Sequence, residues 1–265
     1  MGLGNALRAK GRLDEAIAAF KEAIRIKKDC AEAHCNLGQA LKEKGRFDEA
    51  LEELRRGHQL GQRTPGWRYP SAAWVQEAEC LVELDRRLPA LLGGKAKPAD
   101  TAERLALASL CQSSPKKLYA AAARWYGEAF AAQPALAGDL SAGHRYNAAC
   151  AAALAGCGAG EDAAKLTNTQ RAALRQQARD WLRADLRAWR GRLEEGPGEA
   201  HPAVAQQMQH WLRDSDFNGV RGPDALAGLP EAEREGWRRL WADVADLLRR
   251  TADKPPQPRD GDKKP

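Results

Sequence analysis

Apolar residues recur at helical spacing along most of the chain, and strand-like alternation is missing throughout. Between residues 13 and 27, Ala16, Ile17, Phe20 and Ala23 follow the i, i+3, i+4, i+7 pattern of an amphipathic helix. The same periodicity, bounded by glycine and proline, predicts further helices. They cover residues 71–88, 98–113, 118–134, 144–154, 169–195, 201–212 and 230–250. We therefore predict an all-α protein without a sheet.

The first 62 residues contain an internal repeat. Residues 10–16 and 44–50 differ only at one large apolar position and are 34 residues apart. A period of this length indicates stacked helical units, each unable to bury its apolar face alone. The small Gly4 and Ala16 should let two antiparallel helices approach closely, with the larger Leu7 and Phe20 filling the space between repeats. Gly11 in repeat one and Gly45 in repeat two should each adopt the left-handed conformation that ends the first helix of the repeat.

The repeated positions resemble those of the tetratricopeptide repeat (TPR), a helix–turn–helix unit. Repeat one supplies Leu3, Gly4, Leu7, Ala16, Phe20, Ala23 and Lys28. Repeat two supplies His34, Leu37, Gly38, Leu41, Ala50, Leu54, Gly57 and Gln62. The match spans residues 1–62. It departs from the family pattern at the first position, which is aromatic in the family, and at the last position, which is proline in the family. The resemblance implies a TPR-type helical-hairpin solenoid with additional C-terminal helices, whose first repeat is clipped at Met1.

Degenerate repeats are expected downstream, because two repeats are too few to be stable. Ala122, Tyr126, Ala129 and Pro134 have the spacing of the second helix of a TPR, with 98–113 as its first helix. We therefore divide the chain into five parts. They are two TPRs (1–62), a loop and irregular helical connector broken at Pro89 (63–97), TPR-like repeats (98–195), a C-terminal helical layer (196–252) and a disordered tail (253–265).

Residues 118–251 are similar to a region that follows the catalytic domain in some bacterial serine/threonine protein kinases. The similarity rests on the runs that begin at Tyr119, His144 and Trp181. It implies an interaction region, with a kinase domain as one partner in a longer parent chain. The chain itself has no glycine-rich loop after a strand, no His-Arg-Asp and no Asp-Phe-Gly.

Charge and composition argue against two classes of function, nucleic-acid binding and membrane spanning. The net charge is +6, but residues 1–62 interleave 12 basic with 10 acidic side chains, which argues against a nucleic-acid partner. No apolar run approaches the length of a membrane span, and no secretory signal is present. We expect a cytoplasmic protein whose six cysteines are reduced and mostly buried.

The sequence offers few candidates for catalysis or metal binding. Cys30, His34 and Cys35 lie close together, but a closed zinc site needs four ligands and His34 fills an apolar slot of the repeat. His144, His201 and His210 lack a recognisable nucleophile partner. We therefore predict no catalytic residues, no metal and no cofactor.

The remaining candidate site is a peptide-binding groove implied by the TPR resemblance. It would be lined by Asn5, Arg8, Asn36, Gln39, Lys42 and Glu43. Asn5 and Asn36 resemble two residues of the clamp that holds a peptide's carboxylate, although Met1 and residues 66–70 occupy the slots of its basic residues. We predict a non-catalytic scaffold for a protein or peptide. The alternatives are a detached interaction region of a bacterial kinase and an RNA-binding helical repeat.

Overall fold

A computed structural model of the chain describes residues 2–195 and 201–252, and every regular element in these ranges is a helix. The α-helices are α1 (Gly2–Ala9), α2 (Leu13–Ile26), α3 (Ala31–Glu43), α4 (Phe47–Gln62), α5 (Ser71–Leu92), α6 (Thr101–Gln112), α7 (Tyr119–Ala132), α8 (Ala135–Gly138), α9 (His144–Gly156), α10 (Asn168–Glu195), α11 (His201–Arg213), α12 (Pro223–Ala227) and α13 (Glu231–Arg250). Short 3-10 segments cover Ala163–Lys165 and Ser215–Val220. The predicted all-α class is confirmed. Residues 196–200, between two predicted helices, and the predicted disordered tail lie outside the described residues.

The chain divides into two compact units. Unit 1 takes its residues from 1–99 and 112–117, and unit 2 from 100–111 and from 118 onward. No helix in the described ranges has both the length and the apolar character needed to cross a membrane. The five-part division made from the sequence, including the TPR-like repeats at 98–195, stays a prediction.

Unit 1 is built from successive antiparallel helices, in which each of α1 to α4 packs on the next. Its core contains seven buried residues: Ala16, Ile17, Phe20, Leu37, Ala40, Leu41 and Ala50. Leu7 and Ile24 are partly buried and pack against this cluster. The core draws on both repeats, so each repeat supplies part of the apolar environment that the other needs.

Glycines set the close approach within each hairpin. A Cβ atom added at Gly4 would lie 2.5 Å from Phe20 Cε1, and one added at Gly38 would lie 2.6 Å from Leu54 Cγ. The loops also need glycine, since Gly11 and Gly45 have φ angles of 71° and 79°. The roles predicted for these glycines are confirmed.

The end of α5 differs from the prediction. Pro89 was expected to end the helix, but α5 continues through it to Leu92. Pro89 is exposed, whereas Leu88 and Leu91 on the same turn are each 4% exposed. Burial of these two leucines holds the last turn helical even though proline lacks the N–H for one backbone hydrogen bond. The expected interruption at Pro89 is therefore wrong.

Unit 2 is organised around α9, which packs on both α7 and α10. The face of α9 is rich in alanine, and Ala148, Ala149 and Ala152 are fully buried. Two ion pairs join helices of this unit. Arg145 Nε lies 2.6 Å from Asp185 Oδ1 between α9 and α10, and Arg175 binds Glu233 of α13 through two nitrogens at 2.7 and 2.9 Å. Residues 214–229 contain the second 3-10 segment and α12.

Tryptophans fill much of the core of unit 2. Those on apolar stripes are buried with the exception of Trp181, which is half-buried. The buried ones are Trp125, Trp189, Trp211, Trp237 and Trp241. Trp211 stacks on Tyr146, Tyr146 meets Phe217 edge-on, and Phe217 contacts Trp241 at centroid distances of 5.3 to 5.8 Å. This aromatic chain connects α9, α11 and α13.

The cysteines are free thiols with unequal access to solvent. Cys35, Cys111 and Cys150 are buried, Cys30 is intermediate, and Cys80 and Cys157 are exposed. The expectation that most are buried holds for only half of them. Burial, with a smaller contribution from Glu32, raises the pKa of Cys35 to about 11.

This difference predicts the order in which the thiols react. Because the thiolate is the nucleophile, native protein treated with iodoacetamide at pH 8 should be alkylated at exposed Cys80 faster than at buried Cys35, by a factor of about 100 or more in rate. Peptide mass spectrometry after timed quenching measures both rates. Alkylation of Cys35 at a rate similar to that of Cys80, in protein that stays folded, would contradict the packing of α3 on α4.

Candidate functional site

The six predicted groove residues lie on two helices of unit 1. Asn5 and Arg8 are on α1, and the other four are on α3. Asn5 and Glu43 are exposed, whereas the other four side chains are half-buried. Asn5 precedes Gln39 by one repeat of 34 residues, and Arg8 precedes Lys42 by the same interval. Equivalent positions of the two repeats therefore both carry polar side chains.

Ion pairs join these helices side by side. Arg8 Nε of α1 lies 3.7 Å from Glu43 Oε1 of α3, and Lys42 Nζ of α3 lies 2.9 Å from Glu77 Oε2 of α5. The backbones of α1, α3 and α5 pack more closely on α2 and α4 than on one another. The long charged side chains thus span the space between the first helices of successive hairpins. Such partly exposed pairs contribute only about 0–1 kcal/mol each, so their main effect is to orient the charges.

The amide side chains of this surface, unlike its charged side chains, have no hydrogen-bond partner among the described residues. Within the described part of the chain, the side chains of Asn5, Asn36 and Gln39 make no hydrogen bond. Each amide offers one carbonyl acceptor and an NH2 group with two donors. These are the groups that a peptide backbone pairs with.

Glu77 is a member of this surface that the sequence interpretation missed. It lies on α5, in the predicted helix at 71–88 of the loop and irregular helical connector, which was not expected to contribute to the groove. Glu77 follows Lys42 by 35 residues, close to one repeat period. The opposite charges of Lys42 and Glu77, 35 residues apart, were the sequence feature that could have identified Glu77.

The loop before α5 is held by hydrogen bonds and aromatic contacts. Trp67 Nε1 donates to Ser71 Oγ at 3.1 Å, and the same hydroxyl lies 2.9 Å from His58 Nδ1. The Trp67 ring lies over Gly61, where an added Cβ would be 2.4 Å from Cε2. In the carboxylate clamp of the TPR resemblance, basic residues would stand at Met1 and within residues 66–70. Residues 66–70 belong to this loop, and Met1 lies outside the described residues.

His34 has a structural role in unit 1. Its Nδ1 lies 2.6 Å from Glu53 Oε2, and its Nε2 lies 3.0 Å from the carbonyl oxygen of Lys28. Both ring nitrogens are therefore in contact with oxygen atoms of unit 1 itself. The arrangement explains why a polar residue occupies a buried slot of the repeat.

Unit 2 contains a cavity of about 550 Å³ at the end of α9. Arg171, Arg175 and Glu233 line it together with Cys157. Arg175 is bound to Glu233 and also donates to the carbonyl oxygen of Gly156 at 2.7 Å, while Arg171 donates to that of Ala163 at 3.1 Å. The charged groups of the cavity are therefore engaged by the protein itself.

A second polar cluster in unit 2 lies beside α9. Cys150 Sγ is 3.9 Å from Asp214 Oδ2, and Asp216 is within reach of both. Burial raises the pKa of Cys150 well above its usual value, and the two carboxylates raise it further. Burial and the neighbouring Asp214 also raise the pKa of Asp216. The sequence interpretation did not connect these residues, since 64 positions separate Cys150 from Asp214.

Comparison with known proteins identifies the repeats of unit 1. A family model described as TPR repeat matches residues 4–45, and a tetratricopeptide repeat model matches residues 31–62. No curated protein matches the chain. The two matches overlap across α3 and cover the hairpins that hold all six predicted groove residues. The chain therefore carries tetratricopeptide repeats, over residues 4–62.

Proposed function

We propose that this chain is a non-catalytic interaction scaffold, and that it binds an extended peptide segment of a partner protein in the groove of unit 1. Tetratricopeptide repeats generally mediate protein–protein interaction, and the matched residues include the whole candidate groove. The groove is lined by Asn5, Arg8, Asn36, Gln39, Lys42 and Glu43, to which Glu77 is added.

One observation supports the groove most strongly. The ion pairs Arg8–Glu43 and Lys42–Glu77 connect α1, α3 and α5, while the amides between them keep their hydrogen-bonding groups unused within the described residues. An extended peptide presents backbone donors and acceptors every ~3.3 Å, alternating in direction. Side-chain amides on neighbouring helices can pair with both kinds of group.

The charges of the groove indicate what kind of peptide it accepts. Arg8 and Lys42 are each paired with a carboxylate, so the surface carries two positive and two negative charges. A balanced surface does not attract a polyanion, which disfavours the RNA-binding alternative. We propose a ligand of mixed polarity recognised through its backbone, with affinity that changes little with salt.

Replacing both Asn5 and Asn36 by alanine tests the groove. Peptides selected from a random display library on the full chain would be labelled, and their dissociation constants measured by fluorescence anisotropy. Each lost side-chain hydrogen bond removes about 0.5–1.5 kcal/mol, so the double variant should bind about tenfold more weakly or worse. The circular dichroism spectrum should not change, because both side chains are outside the core.

The matched control is Glu22→Ala with Arg25→Ala. These residues form an exposed ion pair on α2 of the same repeat, and their removal also truncates two polar side chains. Binding by this control should equal that of the wild type. Equal affinity of the Asn5→Ala, Asn36→Ala variant and the wild type would refute the groove assignment.

The kinase context is a finer proposal than the scaffold role. It rests on the similarity of residues 118–251 to regions that follow bacterial kinase domains, and it stays a prediction. If it holds, a kinase domain is one partner of unit 2 and the peptide groove of unit 1 is left for another protein. A bacterial, cytoplasmic setting is part of the same proposal.

A further inference from the structure

Three metal-binding side chains converge in unit 2, and a histidine lies beside one of them. We call Cys150, His210, Asp214 and Asp216 the Cys150 cluster. Cys150 lies on α9, His210 lies near the end of α11, and the two aspartates lie where α11 passes into the 3-10 segment Ser215–Val220. Ligand atoms of Cys150, Asp214 and Asp216 all lie within 4.8 Å of one another.

The distances in the cluster are close to those of a tetrahedral metal site. Bond lengths typical of zinc place neighbouring ligand atoms roughly 3.3–3.5 Å apart. Cys150 Sγ is 3.9 Å from Asp214 Oδ2, and His210 Nε2 is 3.5 Å from the same oxygen. His210 is 56% exposed, so it approaches the cluster from the side open to solvent.

The aspartate that links the cluster is held by a surrounding shell. Tyr146 Oη donates to Asp214 Oδ2 at 2.6 Å, and the backbone N–H of Asp216 donates to Asp214 Oδ1 at 3.0 Å. Tyr146 is fixed in turn by stacking on Trp211 at 5.3 Å. Partners of this kind orient the ligands of a metal and are part of a built site.

The charges of the cluster also call for a cation. Asp214 and Asp216 are half-buried, and Cys150 is 3% exposed. Among the described residues, His210 is the one ion-pair partner of either carboxylate. Holding two carboxylates together partly out of water is costly unless protonation or a positive charge compensates them, and a bound cation would supply that charge.

We propose that the Cys150 cluster binds a divalent transition metal of the zinc type. Cys150, Asp214 and Asp216 supply three ligands, and His210 supplies the fourth from the solvent side. The mixture of sulfur, nitrogen and oxygen donors suits Zn²⁺, whereas Mg²⁺ and Ca²⁺ take oxygen ligands alone. Four protein ligands make the site structural, and it fastens α9 to the end of α11.

Titration of the full chain with Zn²⁺ and with Co²⁺ tests the site. After treatment with a chelator, the wild type should bind one equivalent of Zn²⁺ by isothermal titration calorimetry, with a rise in its melting temperature. Cys150→Ser and Asp216→Asn should each weaken binding at least tenfold. The Co²⁺ form should show a thiolate-to-cobalt charge-transfer band that Cys150→Ser abolishes.

Cys157→Ser is the matched control, because Cys157 directly follows α9 and lies seven residues after Cys150. It should bind Zn²⁺ as tightly as the wild type. Because Cys150 is buried and its serine variant can misfold, Asp216→Asn gives the independent test, with circular dichroism as the folding check. The proposal is overturned if Asp216→Asn binds Zn²⁺ as tightly as the wild type, or if Co²⁺ gives no thiolate band with the wild type.

Discussion

Replacing Gly38 by valine is expected to destabilise the α3–α4 hairpin by about 3 kcal/mol or more. A Cβ atom at Gly38 would lie 2.6 Å from Leu54 Cγ and 3.0 Å from the carbonyl oxygen of Ala50. Leu54 and Ala50 are both fully buried, and the carbonyl belongs to the backbone of α4, so neither neighbour can give way cheaply. The two helices must separate, which exposes the core shared by the two repeats.

Hydrogen exchange with mass spectrometry measures this effect best, because it reports the stability of α3 and α4 separately from that of unit 2. The control is Gly191→Val in α10, where an added Cβ meets no atom within 4 Å. That change should alter local stability by no more than about 0.5 kcal/mol. If Gly38→Val left exchange in α3 and α4 unchanged, the close approach of these helices would be refuted.

Trp211→Ala is expected to cost unit 2 about 3–5 kcal/mol, the range for removing a fully buried aromatic side chain. Trp211 has no exposed surface and stacks on Tyr146 in the aromatic chain that connects α9, α11 and α13. The loss should appear in urea denaturation followed by far-UV circular dichroism. The near-UV spectrum should also weaken, since the aromatic chain loses its fixed packing.

Trp211→Phe separates the packing effect from a polar one. The indole Nε1 of Trp211 is buried and has no acceptor among the described residues, so phenylalanine removes a donor that costs about 1–3 kcal/mol to leave unpaired. Trp211→Phe should therefore be much less harmful than Trp211→Ala. A loss below about 1 kcal/mol for Trp211→Ala would show that the aromatic chain does not stabilise unit 2.

The repeat architecture was predictable because it depends on local and periodic signals. Gly4 and Gly38 recur at one period and face Phe20 and Leu54, which recur at the same period. Asp100 lies three residues before Glu103, a spacing typical of a helix N-cap, and its Oδ1 accepts the Glu103 N–H at 2.8 Å. In each case the partners lie within one hairpin or one turn, where spacing along the sequence determines distance in space.

Contacts between distant segments could not be predicted in this way. The carboxylate of Asp162 accepts the N–H groups of Ala120 and Ala121 at the start of α7, although more than 40 residues separate them. The Cys150 cluster joins residues that are similarly far apart. Such pairs depend on how helices that are distant in the sequence pack together, and the spacing of residues along the sequence does not reveal this packing. Pro89 was misjudged for a related reason, because burial of Leu88 and Leu91 outweighed the local preference.

The candidate groove was predictable in part. The repeat period placed Arg8 and Lys42 at equivalent positions, and both enter ion pairs between helices of unit 1. Glu77 was missed because the loop at residues 63–70 shifts α5 out of the 34-residue register. Binding by these residues stays a prediction.

Photo-crosslinking of a selected peptide tests most directly the claim that unit 1 binds a partner through this groove. The photoreactive amino acid p-benzoylphenylalanine would replace Gln39 in the groove in one sample and Glu22 on the exposed face of α2 in another. We expect the peptide to be crosslinked from position 39 and not from position 22. Equal crosslinking from both positions would contradict binding in the groove. In a second experiment the reactive group is placed on the peptide, and attachment only to residues 118–252 would contradict it as well.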